Sequence, residues 1–208
     1  MRTRILIAAL MSLAFALPAA AHPHVWVTMN TEVIYAPDGS VTGLRQSWTF
    51  DDMFSAFALQ GLESKEKGKF TRAELAPLAK VNVESLKEFD YFTFATADGK
   101  KALFADPQPD YWAEEKDAMV TLHFVLPLKT PVKAKNLKIE VYDPTYFVAM
   151  ELAKQNPVQL VDAPAGCKAA FELPRELTFQ EGKRLSDNPE AAANWGANFA
   201  NKIVVTCP

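Results

Sequence analysis

His24-Val25-Trp26-Val27-Thr28-Met29-Asn30-Thr31-Glu32-Val33-Ile34-Tyr35, then Ala36-Pro37-Asp38-Gly39-Ser40, then Val41-Thr42-Gly43-Leu44-Arg45-Gln46-Ser47-Trp48-Thr49-Phe50 is the stretch from which the fold is read. Two runs rich in β-branched and aromatic residues flank a short segment with good turn chemistry, which predicts a β-hairpin. Alternation along the first strand sorts its faces: His24, Trp26 and Thr28 point one way, Val25, Val27 and Met29 the other. After Phe50 the period changes. Asp51 stands as an N-cap, and Phe54, Phe57, Ala58 and Leu62 recur at helical spacing up to about Gly61. Thr71-Arg72-Ala73-Glu74 is a capping box that opens a second helix, with Leu75, Leu78, Val81 and Leu86 on its apolar face and Pro77 expected to kink or divide it.

Strand patterns return over residues 91–96, 101–104, 119–126, 137–142, 158–161, 168–173 and 203–207, and a short helix is expected over 189–200. A helical pair inside a series of strands predicts an α+β fold. It should be a mainly antiparallel, sandwich-like β-sheet with an inserted helix–loop–helix of degenerate EF-hand shape at about residues 51–90 and a short C-terminal helix.

Ahead of the hairpin, Arg2 and Arg4 precede an apolar run over residues 5–17 that is too short to span a bilayer, and Pro18 leads into Ala19, Ala20 and Ala21. This pattern predicts a signal peptide over residues 1–21 and a single periplasmic domain over 22–208. Without those two arginines the formal net charge of −3 becomes −5. No later segment is apolar enough to cross a membrane, so the product is not expected to be an integral membrane protein. Scattered lysines and arginines with no basic stripe argue against nucleic acid as a partner. Cys167 and Cys207 lie in what would be an oxidising compartment and are expected to form a disulfide.

The chain has 3 histidines, and cleavage after Ala21 would make one of them, His22, the first residue, with Pro23 and His24 next. An N-terminal histidine chelates through its α-amine and its Nδ1, and His24 could add a third nitrogen. Such a set suits Zn, Ni, Co or Cu. Pro23 has no N–H, which excludes the square-planar form that needs a deprotonated second amide. Affinity should fall at low pH, because the α-amine titrates near ~7.7 and imidazole near ~6.5. His123 would join the site if its strand neighboured the first. Asp143, at the end of a strand, and Asp51 or Asp52 are candidate oxygen ligands. The plain alternatives are strand imidazoles bonded to backbone or water, a turn-forming Asp143 before proline, and an Asp51-Asp52 pair that caps a helix.

With Gly68 at the central position of an EF-hand loop, the loop runs from Glu63 to Glu74. Lys65 and Lys67 then occupy positions that need carboxylates or amides, and Glu74 belongs to the capping box, so Ca is not expected. No nucleophile elbow, His-Glu-x-x-His or phosphate-cradling loop occurs, and an enzyme is not expected.

His22-Pro23-His24-Val25-Trp26-Val27, Trp48-Thr49-Phe50-Asp51-Asp52, the run Leu75-Ala76-Pro77-Leu78-Ala79-Lys80-Val81-Asn82-Val83-Glu84-Ser85-Leu86-Lys87, Asp90-Tyr91-Phe92-Thr93, Glu140-Val141-Tyr142-Asp143-Pro144-Thr145-Tyr146-Phe147 and Ala163-Pro164-Ala165-Gly166-Cys167 occur in this order. Together they resemble the bacterial family called domain of unknown function 1007. The resemblance implies a periplasmic component of uncharacterised ABC-type transport systems, often encoded beside nickel/cobalt-type permeases or under zinc-responsive control. Relatives often carry an acidic, calcium-loop-like segment in the helical insertion, and this chain departs from it at Lys65 and Lys67. The leading expectation is a periplasmic Zn or Ni/Co-binding accessory protein working with an inner-membrane permease. Its rivals are an N-terminal-histidine copper redox enzyme and a structural or partner-binding module in which Trp26 and Trp112 serve an interface or the core.

Overall fold

The structure is a computed structural model that describes residues 23–66, 68–187 and 194–208. Two sheets pack face to face. The first is ordered β5 (Trp112–Lys116), β6 (Met119–Val132), β2 (Val41–Phe50), β1 (Val25–Tyr35) and β8 (Val148–Leu152), with β9 (Val158–Val161) also pairing with β1. The second runs β10 (Lys168–Glu172), β11 (Asn201–Thr206), β7 (Asn136–Val141), β3 (Thr93–Ala97) and β4 (Lys100–Ala102). Most pairs are antiparallel. β8 and β9 both run parallel to β1, end to end along one edge of it, β8 against Val25–Met29 and β9 against Thr31–Ile34. Asn30 stands at the seam, where its Nδ2 donates to the carbonyls of Gln155 at 3.2 Å and Asn156 at 2.9 Å.

The expected alternation sets the layers. Val27, Met29, Val33, Leu44, Trp48, Phe124 and Leu126 of the first sheet are buried against Leu137, Ile139, Val141, Ile203 and Val205 of the second. Trp48 and Phe124 meet edge to face, with ring centroids 5.0 Å apart. At Gly43, beside a register shift in the β2–β6 pairing, a Cβ would lie 2.7 Å from the Leu126 carbonyl oxygen; only glycine lets the strands come this close.

Helix α1 (Asp52–Leu59) follows β2 directly, and helix α2 (Arg72–Leu86) opens on the Thr71/Glu74 capping box. Of the kink or division expected at Pro77, division does not occur: α2 continues through it as one helix, the proline removing one backbone bond while Leu75, Ala79 and Val83 hold the helix face in the core. Tyr91 is not in a strand. It lies in a 3-10 segment, Lys87–Phe92, in which Asp90, Tyr91 and Phe92 take positive φ. Two strands were not expected, β5 and β8. Of the helix expected over 189–200, residues 189–193 lie outside the described ones and Trp195–Phe199 forms a 3-10 turn; the α-helix here is α3 (Phe179–Asp187). Cys167 and Cys207 form the expected disulfide, one position beyond the first β10–β11 pair, Lys168 with Thr206.

Candidate functional site

The chain enters the first sheet at a corner built around Asp143. Asp143 lies two residues past the end of β7 and is 3% exposed. Oδ1 accepts from the Thr145 backbone N–H at 2.8 Å and hydroxyl at 2.9 Å, and Oδ2 accepts from the Val148 N–H at 2.9 Å. The carboxylate thus nails down the turn that starts β8. Gly196 packs against the same corner so tightly that a Cβ there would sit 1.6 Å from the Asp143 carbonyl oxygen.

β8 in turn positions the N-terminal end. The carbonyl of Phe147 accepts from the N–H of His24 at 2.9 Å and of Val25 at 3.3 Å. The His24 ring lies against Phe147 with centroids 4.7 Å apart. His24 is therefore an exposed histidine with a fixed backbone, one residue ahead of β1. His22 lies outside the described residues. One strand further across, Asp51 accepts from the Phe54 N–H at 2.8 Å as the N-cap of α1 and from the Trp26 N–H at 2.7 Å, so its carboxylate is committed to the start of the helix.

His123 does not join this end. β2 lies between β1 and β6, and the register aligns Asn30 with Ser47 and Ser47 with His123. His24 is six residues before Asn30 in the chain, roughly 20 Å along the strand at about 3.4 Å per residue. His123 instead belongs to a polar row on the outer face of the sheet. Its Nδ1 lies 2.9 Å from the Ser47 hydroxyl and its Nε2 lies 3.1 Å from Glu114 Oε1. A carboxylate only accepts, so Nε2 carries the hydrogen and Ser47 donates to Nδ1. Trp112 stacks on the ring with centroids 4.0 Å apart, and the Arg72 guanidinium lies over the tryptophan, 4.6 Å from its ring centroid. Burial lowers the imidazole pKa, helped by Arg72 and opposed by Glu114, so the ring is neutral. A serine–histidine–carboxylate row suggests nucleophilic chemistry, but Ser47 sits mid-strand with its neighbours paired on both sides, where the ladder takes up the N–H groups an oxyanion would need. The row pins β5 and α2 to the sheet.

In the calcium-loop-like segment, Glu74 accepts from the Thr71 N–H at 2.8 Å and from the Lys65 N–H at 3.0 Å, which holds its pKa below the ordinary carboxylate range. The residue that would close a calcium loop is thus part of the helix cap. Among the described residues no group of three or more His, Cys, Asp or Glu could hold a metal ion. A cavity of about 340 Å³ lies beyond the Asp143 corner, lined by Tyr146, Met150, Glu151, Arg175, Leu177 and Phe199. Arg175 lies over the Phe199 ring and pairs through both nitrogens with Glu181, at 2.9 and 2.8 Å. No motif marked this cavity in the sequence, because its lining comes from three distant segments.

A family model described as "Protein of unknown function (DUF1007)" matches residues 7–207. An uncharacterised protein of Haemophilus influenzae is 22% identical over 204 residues, covering 95% of this chain and 97% of that one. An uncharacterised 15.5 kDa protein in the trpE 3' region of Spirochaeta aurantia is 36% identical over 119 residues, covering 56% of this chain and 84% of its own. Among solved structures, the acetylcholine-binding protein of Bulinus truncatus aligns with a TM-score of 0.40 and 11% identity, covering 97% of this chain and 95% of that one.

Proposed function

We propose that this chain, which belongs to the DUF1007 family, is a periplasmic accessory protein. It binds a divalent transition metal, Zn or Ni/Co, at its N-terminal end and passes it to or from an inner-membrane permease. The observation behind this reading is the anchoring of His24. Its backbone N–H and ring are both held by Phe147, so a histidine is presented at the rim of the sheet directly behind Pro23 and His22. The ligands are the His22 amine and ring, with His24. Asp143 and His123 leave the ligand set, because the oxygens of the first and both ring nitrogens of the second already have partners. The compartment is supported by the formed disulfide and by the leader-like start of the chain.

The test is the intact mass of protein exported by its native route, measured under native conditions with Zn, Ni, Co and Cu. The expected species starts at His22 and carries one metal ion, which is lost on His22→Ala or His24→Ala and kept on His123→Ala. A different N-terminus, or no uptake at low micromolar metal, overturns the reading.

A further inference from the structure

We infer that β10 pairs edge to edge with β10 of a second copy of this chain, antiparallel about a two-fold axis at Ala170, so that the second sheet of one copy continues into that of the other. The inference does not draw on the metal reading. β10 is the end strand of its sheet and is exposed along its whole length. Its free edge can be read residue by residue. The Cys207 N–H donates to the Lys135 carbonyl at 2.8 Å, so Ile203 and Val205, in step with Cys207 along the strand, also turn their backbone groups toward β7. Lys202, Val204 and Thr206 then face β10 and take up the backbone groups of Glu172, Ala170 and Lys168. The N–H and C=O groups of Ala169 and Phe171 point away from β11, in the plane of the sheet, and among the described residues none bonds to them.

Both faces of such a pairing match. With Ala170 opposite Ala170, Ala169 of each copy stands opposite Phe171 of the other, and these are the pairs whose outward groups exchange hydrogen bonds. Ala169 and Phe171 share the face of Val205 and Ile203, their buried partners on β11, yet Phe171 is 47% exposed. The second copy lays its own Ala169 and Phe171 alongside, and so extends an apolar row that otherwise stops at the sheet edge.

Charge sets the direction and the register. Lys168 and Glu172 lie on the other face of β10, and the antiparallel register places Lys168 of each copy opposite Glu172 of its mate, in the closely spaced pairs that exchange no hydrogen bonds. Lys202 lies 3.6 Å from Glu172, so the carboxylate then stands between two ammonium groups. A parallel mate would set like charges side by side, and a slip of two residues either way loses both ion pairs. An edge lysine ordinarily deters pairing; here the same strand supplies the carboxylate that answers it. Pairing of two identical edges uses each edge once, so association closes at two copies.

The test is sedimentation of the exported protein at concentrations up to about 1 mM, because so short an interface falls at the weak end of the size range. A chelator is present throughout, so that metal bridging plays no part. The mass should rise toward that of a dimer with concentration. Lys168→Glu and Glu172→Lys each set two like-charge pairs across the axis and should weaken dimerisation by at least about tenfold, with circular dichroism unchanged. An equimolar mixture of the two variants, and the double variant carrying both changes, bring opposite charges together again and should recover it. Ala169→Pro removes an outward N–H without touching the bonds to β11 and should also weaken it. In the parent chain, amide exchange at Ala169 and Phe171 should slow as concentration rises, while that at Lys168, Ala170 and Glu172 stays constant. A chain that remains monomeric, a dimer indifferent to both charge variants, or a mixture that fails to recover association overturns the inference.

Discussion

Replacing both cysteines, Cys167→Ala with Cys207→Ala, should destabilise the fold by about 4 kcal/mol. The bridge joins residues 40 apart in sequence. In the loop-entropy relation a loop of that length removes about 13 cal/mol/K from the unfolded chain, or about 4 kcal/mol at room temperature. The native side adds little to this figure. Cys207 is already held by its N–H on the Lys135 carbonyl at 2.8 Å, and β10, which leads away from Cys167, is exposed along its whole length. For a chain of this size each kcal/mol moves Tm by about 2–4 °C, so the expected drop is about 8–16 °C. Urea unfolding of the oxidised protein and the double variant, followed by circular dichroism, measures it directly. The midpoint should fall while the slope with denaturant stays constant. A loss below about 1 kcal/mol would refute the entropic reasoning, because it would mean that the β10–β11 hairpin closes this loop equally well without a covalent link.

Asp143→Ala leaves the N–H groups of Thr145 and Val148 unpaired at a buried corner, so a loss of about 2–4 kcal/mol is expected in urea unfolding, together with faster amide exchange at His24 and Val25. His123 is held neutral by burial, so its folded pKa lies below its unfolded value. Its contribution to stability is complete above about pH 6.5 and declines as the pH falls through the unfolded pKa toward the folded one. Denaturation midpoints across that range should show this slope, and His123→Gln should remove it. The Cu-loaded chain should bind without consuming ascorbate; sustained turnover would favour the redox alternative.

The hairpin and both helix starts were legible because their signals are local. Alternation and a Pro-Asp-Gly turn specify β1 and β2, and Asp51 and the Thr71/Glu74 box bond within a few residues of themselves. What escaped depends on remote partners. β5 has three charged residues in five and becomes a strand only because Trp112 and Ala113 line up with His123 and Leu122. β8 is recruited by β1, more than a hundred residues earlier in the chain, in a parallel register that no short pattern announces. Asp143 had a visible turn-forming role before proline, but not its burial. The convergence of the histidines turned on which strand neighbours β1, and β2 took that place on one side with β8 and β9 on the other.

That shared edge has a further consequence. One long strand, Val25–Tyr35, is sealed on one side by two short ones, and the seam at Asn30 holds the loop between them. Outward from this side the molecule offers strand edges of only 5 and 4 residues, offset from each other, rather than one continuous ladder. Such fragments are poor templates for another chain, so the arrangement guards the folded β-rich protein against edge-to-edge association. Asn30 is then a solubility determinant as much as a structural one.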